Sequence, residues 1–217
     1  MVKSIIFSAA LLAAALVPTV AAEATEEVTR RHTLRAEGVQ VLKIDAGVGS
    51  VRVEPGTADT YQVVVTIEPA KKGWFGKKAD VSKAQLKIER SGERLQLSLD
   101  PDSVDGASLQ GTWRVKLPAQ PPAEVEVDLG VGEARIEAPA SVVRLDVGVG
   151  EAKVVTAAAS AGAVSAAAGV GDAHITGAEA SRQRHVVGGQ SSARGQGQRD
   201  ITVNVGVGEA GVTLSRD

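Results

Sequence analysis

One phrase recurs along the chain: Gly-Val-Gly followed by a small or acidic residue. It stands at Gly47–Gly49, Gly130–Gly132, Gly148–Gly150, Gly169–Gly171 and Gly206–Gly208. The surroundings repeat with it, as VDLGVGEARI, LDVGVGEAKV, AAAGVGDAHI and VNVGVGEAGV. The tightest copies lie 18 and 21 residues apart. A period that short cannot enclose a domain but suits one coil of a repeat array. It is also too short for a helical crossover between parallel strands, so it predicts an all-β chain.

Within each copy the apolar phase slips. Val127, Leu129 and Val131 alternate with Asp128 and Gly130, which is strand periodicity, but Ala134 and Ile136 then follow on the other parity. The same slip separates Ile44, Ala46 and Val48 from Val51 and Val53. It separates Leu145, Val147 and Val149 from Ala152 and Val154, and Val203, Val205 and Val207 from Ala210 and Val212. A strand that keeps one face buried changes parity only through a bulge or a corner. The expected unit is therefore strand, glycine corner at Gly132–Glu133 and its equivalents, strand. Stacked, such units form a single-domain β-solenoid, like a parallel β-helix, with Val, Leu, Ile and Ala inside. The stretch RHVVGGQSSARG is a poor copy that would put His185, Gly189, Ser192 and Arg194 inward, so Gln183–Arg199 reads as either a coil or a loop.

Residues 1–22 read as a signal peptide: Lys3, an Ala/Leu-rich run from Ile5 to Leu16, Pro18, and small residues at Val20-Ala21-Ala22. Export to the periplasm or cell surface of a bacterium follows from that reading, with no transmembrane span in the mature chain. Residues 23–37 form a polar lead segment without clear period. Residues 38–117 read as a looser half decorated by hairpins, with strands at Tyr61–Glu68, Gln85–Ile88, Leu95–Leu99 and Thr112–Leu117. Residues 118–217 hold the tight repeats. The chain has no cysteine, hence no disulfides, and its formal net charge is −2. That charge excludes a nucleic-acid binder, which needs a basic stripe. Outside the signal only Tyr61, Trp74, Phe75 and Trp113 are aromatic, so stacking platforms for sugars or bases are nearly absent.

The order IDAGVGSVRVEPG, KIERSGERLQLSL, TWRVKLPA and EVEVDLGVGEARIEAPASVVRLDVGVGEAKV closely resembles the bacterial putative-adhesin family of β-strand repeats, also described as toast-rack-like. The resemblance runs from Gly38 to the C-terminus and implies an exported β-repeat protein. It brings no catalytic residues.

Candidate sites are few. Glu133, Glu151, Asp172 and Glu209 follow the second glycine and would stack into a column of carboxylates. With one acid per corner, turn-capping surface groups are expected rather than a cation site. Arg52, Arg135, Lys153 and His174 form an outward column on the second half of the repeat, and Asp45, Asp128, Asp146 and Asn204 one on the first, which reads as solvated ion pairing. The segment Lys71-Lys72-Gly73-Trp74-Phe75-Gly76-Lys77-Lys78 sets two aromatics between lysine pairs, so Lys71, Lys72, Trp74, Phe75, Lys77 and Lys78 form a possible interaction loop for a membrane interface or an acidic partner. No Ser-His-Asp, Gly-x-Ser-x-Gly, His-Glu-x-x-His or P-loop pattern is present. The expected function is non-enzymatic and needs no cofactor or metal: an adhesin-like, scaffolding or interaction module of the cell envelope, binding a protein or envelope surface. A regulatory module of envelope-stress signalling is the main rival, and a glycan-processing β-solenoid enzyme the lesser one. The chain ends at Ser215-Arg216-Asp217 with no cap, which predicts either a homodimer through the C-terminal solenoid edge or capping by the N-terminal hairpins.

Overall fold

A computed structural model describes residues 27–69, 81–100, 109–138, 140–177, 180–184 and 188–215. Among them no helix occurs, and the strands are β1 (Val28–Arg35), β2 (Val41–Glu54), β3 (Thr60–Pro69), β4 (Leu86–Ser91), β5 (Arg94–Leu99), β6 (Leu109–Lys116), β7 (Glu124–Glu137), β8 (Val142–Ala157), β9 (Ala161–Thr176), β10 (Ala180–Arg184), β11 (Gly189–Arg194) and β12 (Arg199–Ser215). One hydrogen-bonded path joins them in the order β1-β3-β6-β2-β7-β8-β12-β9-β11-β10, and the β4–β5 hairpin adds to β2.

The repeats β2, β7, β8, β12 and β9 lie side by side and parallel. Yet β7 and β8 are separated only by residues 138–141, and β8 and β9 only by 158–160. A straight strand of 14 residues would be about 46 Å long, while the five peptide steps from Glu137 to Val142 reach at most about 18 Å. The end of β7 must therefore return close to its own beginning. Each long strand folds back on itself, and its two halves enclose one core. β2 shows the division: its first half pairs with β5 and its second half with β6 on the same side. Leu42, Ile44, Val125, Val127 and Leu145 from first halves meet Val51, Val53, Ile136 and Val154 from second halves in that core.

The bend lies at Gly-Val-Gly. The second glycine of every copy has positive φ, from 122° at Gly171 to 139° at Gly150, where a side chain is strained. A Cβ on Gly132 would overlap the carbonyl oxygen of Gly49, and one on Gly150 that of Gly132. The same relation links Gly208 to Gly150, and Gly171 to Gly208. Pairing continues through the corner (Val131↔Val149, Gly132↔Gly150), so each copy is one bent strand rather than two. The parity slip is real but begins earlier than the apolar pattern suggests. The chain leaves the core after Leu129, and Gly130 to Glu133 run along the outside of the bend. Val131, Val149, Val170 and Val207, read as inward, are instead 46–50% exposed.

Two further expectations are corrected. β12 is not a terminal edge: it inserts between β8 and β9 and pairs with both. Its inward Ile201, Val203, Val205, Ala210, Val212 and Leu214 are all buried, and an interior position serves so apolar a strand best. Among the described residues the outer strands of the hydrogen-bonded path are β1 and β10, not β12. The poor copy, in turn, does not form a further coil. β10 and β11 form an antiparallel hairpin on the first half of β9. There Ser191 is buried and donates to the Ala173 carbonyl (2.8 Å), while Ser192 and Arg194 are exposed. Gly189 is buried as expected, and His185 lies outside the described residues. At the other end, β4–β5 covers the first half of β2, and β6, β3 and β1 extend from its second half. The polar lead contributes an ordered edge strand, β1, antiparallel to β3. Its half-exposed, charged face carries little periodicity and so escapes a search for apolar alternation.

The corner geometry predicts a contrast between two glycines. Gly150→Ala meets both the positive φ and the Gly132 carbonyl and is expected to lose roughly 1–3 kcal/mol or more. Gly47→Ala faces open space at ordinary φ and should cost under about 1 kcal/mol. Urea unfolding of the two variants decides; equal midpoints would contradict the corner.

Candidate functional site

Folding back gives the molecule two outer faces that meet at the valine ridge. The first halves place Asp45, Asp128, Asp146 and Asn204 in one row across β2, β7, β8 and β12. Lys43 Nζ lies 2.7 Å from Asp128 and 3.4 Å from Asp45. The hydrogen bond to Asp128 raises the Lys43 pKa above its ordinary value, against the lowering effect of burial. Gln96 donates to Asp45 (2.5 Å) and Asn204 donates to Asp146 (2.8 Å). Each acid is thus held by a neighbour on its own face. Arg94, with Glu126 at 2.6 Å, continues the pattern on β5 and β7, and that hydrogen bond is the main cause of its raised pKa.

The second halves carry the opposite character. In register order across β6, β2, β7 and β8 stand Arg114, Arg52, Arg135 and Lys153. Gly211 of β12 comes next, then His174 of β9, whose ring lies over Gly211. Arg52 pairs with Glu54 (2.5 Å) and lies 3.9 Å from Glu137; Arg135 pairs with Glu137 (2.9 Å). The acid and base columns therefore occupy different faces and do not form with each other the ion pairs that their opposite signs suggested. Ion pairs form between adjacent rows of one face, and exposed pairs of this kind each contribute about 0–1 kcal/mol.

The row that follows the corner reads Thr112, Ser50, Glu133, Glu151, Glu209, Asp172. The carboxylate column is thus in register, with Glu209 3.4 Å from His174 Nδ1. Among the described residues no group of three or more His, Asp or Glu side chains is placed to hold a metal ion, and no helix is long and apolar enough to cross a membrane. Two groups escaped the sequence reading: Gly111 stands level with Gly49 and Arg114 with Arg52. β6 is half a repeat, Gly-Thr-Trp-Arg-Val, and matching it to Gly-Glu-Ala-Arg-Ile would have placed Arg114 in the row. Lys71, Lys72, Trp74, Phe75, Lys77 and Lys78 lie outside the described residues, as do residues 1–22, expected to be a signal peptide.

A shallow groove of about 770 Å³ runs over this second face, lined by Arg31, Arg52, Arg114, Arg135 and Lys153, by the hydroxyls of Ser50, Thr66 and Thr112, and by Glu133 and Glu151. Trp113 lies beneath it; Trp113 and Tyr61 are the bulkiest fully buried side chains, and among the described residues Trp113 Nε1 and the Tyr61 hydroxyl have no hydrogen-bond partner.

Residues 22–176 match the family model described as the N-terminal domain of toast_rack. The match takes in more than half of the chain, from the predicted cleavage point to the end of β9, and the chain belongs to that family. Among solved structures it is similar to a putative cell adhesion protein from Clostridium sporogenes, at 17% identity, covering 87% of this chain and 100% of that one, with a TM-score of 0.50. That likeness is one of fold. Two putative adhesins are matched more loosely: one from Parabacteroides distasonis (19% identity, 60% of this chain and 54% of that one, TM-score 0.29) and one from Parabacteroides merdae (12%, 69% and 63%, 0.31). No curated protein matches the chain.

Burial of Tyr61 pushes its phenol up to about 12 from an ordinary 10, partly offset by Arg90. The unfolded chain therefore releases this proton first, so the stability contribution is whole below pH 10 and is lost as pH rises toward 12. Unfolding curves should show this alkaline loss in the parent and its reduction in Tyr61→Phe; identical pH slopes would contradict it.

Proposed function

We propose that this chain is an exported, non-enzymatic envelope protein that works by contact, as an adhesin-like or scaffolding module. The single observation that carries this reading is the in-register order of its outer faces. Side chains of one kind recur at strand spacing along a frame whose corners admit only glycine. Such a frame presents a surface in fixed geometry and moves little on binding, which suits recognition rather than turnover. The names of the structural relatives point the same way. Stacking of the bent strands is read as a β-solenoid, residues 1–22 as the export signal, and the cell envelope as the site of action. Lys71, Lys72, Trp74, Phe75, Lys77 and Lys78 are proposed as a second contact element, on sequence grounds alone.

The test is photo-cross-linking in the native envelope, with the reactive group placed in separate variants at Trp74, at Arg135 and at Asp146. A dominant product from Arg135 or Trp74, with little from Asp146, is the expected outcome. Equal, diffuse labelling from all three positions would sink the contact reading.

A further inference from the structure

The basic row does more than solubilise its face. Arg114, Arg52, Arg135 and Lys153 occupy four consecutive hydrogen-bonded strands in strict register. Neighbouring strands are about 4.8 Å apart, so the four cations span roughly 14 Å in a line. Arg31, two strands beyond Arg114 through Val64, prolongs the line. Among the described residues Arg31, Arg114 and Lys153 have no acidic partner within ion-pair distance, while Arg52 and Arg135 share Glu54 and Glu137. The groove lining holds five cations against Glu133 and Glu151, in a chain whose net charge is −2.

The geometry points to a linear acidic polysaccharide as the ligand of this groove, its carboxylates set against the line of cations. The remaining lining discriminates between kinds of polyanion. Ser50, Thr66 and Thr112 can exchange hydrogen bonds with sugar hydroxyls, and Glu133 and Glu151 can accept from them. The same two carboxylates repel a polymer of phosphates, which has no comparable run of donors. Aromatic stacking has no part in this mode, since Trp113 is buried under the groove. The inference goes beyond envelope contact in general and can fail without it.

The experiment is calorimetric titration of the chain lacking residues 1–22 with oligogalacturonate at low ionic strength, with the methyl-esterified oligomer and polyphosphate as comparison probes. Oligogalacturonate is expected to bind, more weakly as salt rises, and the ester not to bind. Arg52→Ser, Arg114→Ser and Lys153→Ser combined should weaken it about tenfold or more, with Lys153→Ser alone showing part of the loss should the triple variant fail to fold. Lys43→Ser, on the other face, should change nothing. No binding, equal binding of the ester, an unaffected Lys153→Ser, or polyphosphate binding as tightly as the uronate would each overturn the assignment. Cross-linking from Arg135 to a protein despite such a result would leave the contact function standing.

Discussion

Everything in this fold depends on the close approach of one glycine to the carbonyl of the next. At each corner the space beside the second glycine is filled by the carbonyl oxygen of the neighbouring corner, so Gly49, Gly132, Gly150, Gly208 and Gly171 lock together in a line. That approach lets a strand of 14 to 17 residues turn back without leaving the ladder. Without the turn, connections of three or four residues could not join parallel strands of one sheet. The core, the two faces and the exposed valines all follow. Val131 and its equivalents are outside because they sit between two glycines on the convex side of the bend, where no second layer exists to cover them.

The locked corners have a functional consequence. A row of side chains on such a frame keeps its spacing, because sliding one strand by a residue would drive a Cβ into a carbonyl. The two faces are then free to differ. On the first face Lys43 braces both Asp45 and Asp128. On the second, Arg114 and Lys153 stand in line with partly paired arginines over a groove with hydroxyls at its floor. Buried Trp113 adds bulk beneath that face, where the second halves of the repeats offer smaller aliphatic side chains.

Much of this was legible in the sequence, for a stated reason. Repetition makes the parity slip visible several times over, and glycine with positive φ leaves a mark in composition. The all-β class, the inward residues on either side of the corner and the β4–β5 hairpin at Ser91-Gly92-Glu93 could all be read from it. Three features could not. The side taken by Val131 depends on where along four residues the chain leaves the core, and alternation is silent on that. The place of β12 depends on which neighbours it pairs with; its pattern would fit a terminal coil equally well. Arg114 lies in a half-repeat whose corner has Gln110 and Gly111 in place of Val-Gly, so the Gly-Val-Gly pattern does not mark it.

The register of β12 tests the central claim most directly, because chain order and structure give opposite neighbours for β8. The chain contains no cysteine, so engineered pairs report cleanly. Val149→Cys with Val207→Cys puts the two thiols on adjacent strands, within the reach of a disulfide, whereas Val149→Cys with Val170→Cys leaves β12 between them. Mild oxidation of the folded protein should close the first pair quickly and leave the second open. Ready closure of the 149–170 pair, with 149–207 open, would show that the repeats stack in chain order and that the interleaved, glycine-locked sheet described above is wrong.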